Sequence, residues 1–186
     1  MLTVARPGDF VLSRTNAPLV KVCLQLLRRG VRSCVKGRDV GKGILALVDK
    51  QHASSLPELL ARVGAWFERE SAKAMGIDDD KVAQERLDYV TDQADVVKVL
   101  AEDVSSLEEL RAKLTTLFAE DGGHSVVCSS VHRAKGLESE NVFMLVGTFR
   151  AGSLEEDNLS YVAITRSKQR LWRVTGFEPK RRAADC

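Results

Sequence analysis

Short apolar runs of strand length alternate with stretches of helical period, and this alternation restricts the fold more than any other feature of the 186-residue chain. Phe10-Val11-Leu12, Val31 to Val35, Val126-Val127-Cys128, Val142 to Val146 and Leu171 to Thr175 read as strands. After the first of them, Leu19, Val22, Cys23 and Leu26 fall at i, i+3, i+4 and i+7, one helical face. Asn16 is placed to cap that helix with Pro18 in its first turn, and Gly30 ends it. Ile44, Leu45, Leu47 and Val48 suggest another helix, and Glu155 to Ser167 has helical character. Strands alternating with helices favour an α/β fold, a parallel sheet covered on both faces. In such sheets ligands bind at the carboxyl ends of the strands.

A helical middle interrupts the alternation. Ser55 to Glu58 and Ser106 to Glu109 have capping-box spacing, each opening an apolar stripe. The first stripe is Leu56, Leu59, Leu60, Val63 and Phe67, and the second is Leu107, Leu110, Leu114, Leu117 and Phe118. Between them Asp78-Asp79-Asp80 turns the chain into a helix striped by Val90, Ala94, Val97 and Ala101. Gln51 to Glu120 holds 15 acidic and 8 basic residues, whereas the flanks hold 11 acidic and 20 basic. Solvated helix faces account for the acidic middle. The basic flanks suit contact with a polyanion such as nucleic acid or nucleotide. Residues 1–50 and 121–186 are therefore expected to form the α/β domain, with 51–120 a helical insertion.

Other classes are disfavoured. No run approaches the roughly 20 apolar residues that span a membrane, and MLTVARPGDF lacks a signal-peptide layout. Cys23, Cys34, Cys128 and Cys186 form no CxxC pair, and with His52, His124 and His132 they give no metal-ligand spacing. A reduced, cytoplasmic protein without a structural metal is expected. Trp66 and Trp172 suit a core, an interface or base stacking.

The stretch VKGRDVGKGI, Val35 to Ile44, looks like a phosphate loop but fails on spacing. A Walker A loop needs four residues between its glycines and a hydroxyl after the lysine. Here three residues separate Gly37 from Gly41, and Gly43 stands where the Mg²⁺-binding hydroxyl belongs. A glycine-broken turn from strand to helix fits better.

Two stretches carry more specific chemistry. The first is Ser130-Val131-His132-Arg133-Ala134-Lys135-Gly136-Leu137-Glu138, and the second is Leu159 to Lys168, LSYVAITRSK. With FVLSRTNA near the start, they resemble motifs IV, V and VI of the UvrD/Rep-like superfamily 1 DNA helicases. These motifs belong to the second, C-terminal RecA-like domain, a P-loop NTPase fold that lacks the P-loop.

The resemblance implies roles residue by residue. Arg14 and Arg166 would both reach the γ-phosphate of ATP, Arg166 as an arginine finger worth ~10³ to 10⁵ in rate. Gly136 and Glu138 would approach the nucleotide, the Glu138 carboxylate accepting from the ribose hydroxyl. Ser130 and His132 would hold phosphates of single-stranded DNA, with Lys135 steadying that loop or a phosphate. The chain departs from the family pattern at Asp157-Asn158, where two arginines are usual, and at Ser13, where a tyrosine often stands. Walker A and Walker B are absent, so ATP and Mg²⁺ would be bound mainly by a first RecA-like domain, in cis or in trans. The chain alone is expected not to hydrolyse ATP. The alternative is a non-catalytic single-stranded-DNA-binding or protein-docking module derived from the same fold.

Overall fold

A computed structural model of the chain describes residues 1, 3–119, 123–150 and 152–177. The domain boundary expected at 120/121, and Cys186, lie outside them. Two compact units are present. One comprises Met1–Lys36 with the described part of Glu120–Cys186, and the other is Gly37–Ala119.

The first unit is built on five strands, β1 (Phe10–Ser13), β2 (Ser33–Val35), β3 (Val126–Ser130), β4 (Ser139–Leu145) and β5 (Ser167–Val174). They lie in the order β2-β3-β1-β4-β5, and every neighbouring pair is parallel. β1 is central, and all four of its residues are buried. A strand buried on both faces needs a near-continuous apolar run, which FVL supplies. Helix α1 (Asn16–Arg28) follows β1, and helix α6 (Leu154–Ile164) joins β4 to β5.

The two helices take opposite faces of the sheet. Phe10, Leu12, Val142 and Met144 pack with Leu159 and Ala163 of α6. The alternate residues Val11 and Cys128 point the other way, and Cys23 of α1 is hydrogen-bonded to Cys128 there. This is the parallel α/β sheet that the alternation predicts, with the arrangement of a RecA-like domain.

The second unit holds α2 (Arg38–Lys50), α3 (Leu56–Met75), α4 (Asp80–Ala101) and α5 (Leu107–Leu117). Ser55 and Ser106 cap α3 and α5 by accepting from the backbone N–H of Glu58 and Glu109. The two glutamate side chains reach back one residue beyond the caps, to the N–H and hydroxyl of Ser54 and Ser105. Asp79 caps α4 through the N–H groups of Lys81 and Val82.

Several local expectations are corrected. Thr15, not Asn16, is the residue that precedes α1, and it makes no side-chain cap bond. Asn16 already lies inside the helix. In VKGRDVGKGI only Lys36 and Gly37 turn the chain; α2 starts at Arg38, so Gly41 and Gly43 are helical. Gly41 is required by packing: a Cβ there would come 2.6 Å from the Phe118 Cβ. The helix expected to reach Ser167 stops at Ile164. Strand pairing takes over, because the carbonyl of Arg166 accepts from the N–H of Ser139 at the start of β4.

Candidate functional site

The segment from Ser130 to Glu138 runs from one end of the sheet to the other. Ser13 and Ser130 are level with one another, three residues beyond Phe10 at the carboxyl end. Phe10 is level with Val142, so Ser139 lies three residues below it, at the amino end. Six residues of strand rise, about 20 Å, separate the two points. The 3-10 turn Val131–Ala134, anchored by the buried Val131 and Ala134, opens the descent, and Lys135 to Glu138 complete it. Gly136 then adopts φ +77°. A Cβ there would meet nothing within 4 Å, so conformation rather than space selects glycine.

Arg14, Ser130, His132 and Lys135 gather at the carboxyl end. Arg14 follows β1, and its backbone N–H donates to Thr148 Oγ1 at 3.1 Å. Thr148 also accepts from the Ser13 hydroxyl and donates to the Leu145 carbonyl at 2.7 Å. The ends of β1 and β4 are thereby tied together. The Arg14 Nε donates to Glu156 Oε1 at 2.9 Å. Glu156 stands in the first turn of α6, three residues after its cap Ser153, and is buried. Burial, followed by the charges of Arg14 and Lys135, lowers the His132 pKa below its ordinary value, opposed by Glu155 and Glu156. Burial and the nearby cations thus favour its neutral form, with the Glu155 and Glu156 carboxylates on the other side of the balance.

Gly136, Glu138 and Arg166 gather at the amino end. Arg166 donates from Nε to the Val162 carbonyl at 3.1 Å and from Nη1 to the Leu137 carbonyl at 3.3 Å. Its Nη2 donates to Thr165 Oγ1 at 3.1 Å. These bonds tie the last turn of α6 to the loop before β4. All three acceptors are neutral oxygens, and no carboxylate pairs with Arg166 among the described residues. The Glu138 carboxylate lies 3.4 Å from Lys168 Nζ, both side chains about half exposed. Such exposed pairs are weak and readily exchanged.

Arg14 and Arg166 are not brought together. Arg14 holds the third residue of α6 and Arg166 the residue that closes it, nine residues further on. At about 1.5 Å per residue their guanidiniums are roughly 14 Å apart. A shared phosphate needs both within about 3 Å. In this structure Arg14 sits with the residues assigned to DNA, and Arg166 at the other end of α6.

Sequence reasoning missed Glu156 and Thr148. Ser153-Leu154-Glu155-Glu156 has capping-box spacing and could have pointed to Glu156. Nothing in the sequence marks Thr148, whose role depends on a pairing between distant strands.

Residues 125–174 match the family model of the UvrD-like helicase C-terminal domain. The match runs from the residue before β3 to the end of β5 and takes in the crossing loop, α6, Glu156 and Arg166. Over these residues the chain is similar to the UvrD-like helicase C-terminal domain. No curated protein matches the chain. Among the described residues no helix is long and apolar enough to cross a membrane, and no group of three or more His, Cys, Asp or Glu could hold a metal ion.

Proposed function

We propose that the chain serves as the C-terminal RecA-like part of an ATP-dependent DNA helicase or translocase, working with a first RecA-like domain in cis or in trans. The amino-end group of Gly136, Glu138 and Arg166 faces the nucleotide held by that domain. The carboxyl-end group of Arg14, Ser130, His132 and Lys135 takes phosphates of single-stranded DNA. Mg²⁺ comes with the nucleotide on the first domain and needs no ligand from this chain.

One observation carries the reading. A single loop and a single helix each join the two groups, and each is bonded at both ends. In α6 a change at Arg166 has a rigid path to Glu156 and Arg14. Arg166 fits an anion because, among the described residues, its charge is met only by neutral oxygens. A guanidinium placed there stabilises charge on a transferring phosphoryl group. Glu138 can leave Lys168 for a ribose hydroxyl at little cost.

The test is Arg166→Ala in the complete two-domain enzyme. DNA-stimulated ATP hydrolysis is expected to fall by about 10³-fold or more, with the fold intact by circular dichroism. Near-normal turnover would contradict the assignment, and would favour the docking or strand-binding module instead.

A further inference from the structure

On the sheet face opposite α6, β4 and β5 line a cleft of about 350 Å³, and its lining among the described residues includes no helix residue. Its floor is Phe143 and Trp172, level with one another on adjacent strands. Their rings are stacked with centroids 6.0 Å apart and planes 14° from parallel. Phe143 is buried, whereas Trp172 is 43% exposed, so the indole offers an open face. Arg6 and Arg170 line the same cleft, and neither guanidinium has a partner among the described residues. Asp9 at the cleft's edge is buried, held by the Arg6 N–H and by Asn141 Nδ2, each at 2.9 Å.

An open aromatic face in one cleft with two guanidiniums that have no partner among the described residues is the chemistry that binds a nucleotide unit. The ring takes a base of any sequence by stacking, and the cations take its phosphates. Asp9 keeps lone pairs to accept from a base N–H. Other occupants fit less well. A second copy of the chain would set these arginines against themselves, and a purely apolar cover would leave two guanidiniums desolvated without partners.

We propose that this cleft is a nucleotide-unit site separate from both groups described above. The base stacks on Trp172, and Arg6 and Arg170 hold the phosphate. The unit comes either from single-stranded nucleic acid or from a free nucleotide. The site goes beyond the helicase reading and does not require it.

Trp172 reports on the site directly. In a Trp66→Phe background it is the sole tryptophan. Its fluorescence is titrated with the oligomer dT8 and, separately, with dTMP. Saturable quenching is expected, weakened about tenfold or more in Arg6→Ala/Arg170→Ala. Both arginines are exposed, so the fold should survive their loss. Quenching by dT8 alone identifies a strand, and quenching by both identifies a site for any nucleotide. The quench should persist in His132→Ala/Lys135→Ala, which separates this cleft from the carboxyl-end group. No saturable quenching by either ligand in folded protein, or quenching unchanged in the arginine double variant, would overturn the proposal. The face would then be left for a polypeptide to cover.

Discussion

The Arg14 Nε and the Glu156 Oε1 stand 2.9 Å apart, joining the carboxyl end of the central strand to the first turn of α6. Both side chains are largely withdrawn from water, at 17% and 8% exposure. They are 142 positions apart in sequence, and the segment between them includes the whole second unit. This pair fixes where the helix begins relative to the sheet. Through the helix it fixes where Arg166 ends up.

Removing one member of a buried ion pair takes away the charge that offsets the other's burial. Glu156→Ala is expected to destabilise the first unit by about 3 kcal/mol. Glu156→Gln keeps an acceptor for Arg14 and should lose less. Denaturant unfolding followed by Trp172 fluorescence measures both, and equal stability of all three proteins would deny the pair its structural role.

With His132 at the proposed DNA interface, its lowered pKa would give binding a pH dependence with a defined sign. Burial and the nearby Arg14 and Lys135 disfavour the imidazolium in the free protein. A DNA phosphate brings negative charge, which favours the protonated form and so couples binding to proton uptake. Affinity for single-stranded DNA should therefore rise as pH falls from 8 towards 6, and His132→Ala should flatten the profile. An unaltered slope in the variant would remove His132 from the interface.

The glycines of VKGRDVGKGI should separate under alanine substitution. In a helix interior, alanine is favoured over glycine by about 1 kcal/mol. At Gly43 the new Cβ would lie 3.4 Å from the flexible Gln93 amide, so Gly43→Ala should be neutral or stabilising. At Gly41 it would lie 2.6 Å from the Phe118 Cβ, and overpacking should cost about 1 to 3 kcal/mol. Melting temperatures moving in opposite directions would confirm packing, not phosphate binding, as the reason for Gly41.

Much of the fold was legible because its signals are local. The strand runs, the helical stripes and the capping serines at Ser55 and Ser106 all act within a few residues. The membership of each end of the sheet was not legible. Level pairs such as Ser13 with Ser130 depend on register between distant strands, which no local pattern encodes. The motif resemblance picked Arg14 and Arg166 but could not say that a helix length separates them. VKGRDVGKGI misled in the same way: its Gly41 answers to Phe118, 77 residues away.

The central claim is that DNA and nucleotide groups occupy opposite ends of the sheet, and amide hydrogen exchange on the chain with and without dT8 tests it most directly. Slowed exchange is expected at Arg14 and Thr15 and from Val131 to Lys135. Gly136 to Glu138 and Thr165 to Ser167 should be little changed. Protection confined to the Gly136, Glu138 and Arg166 end, with none at Arg14 or His132, would contradict the account.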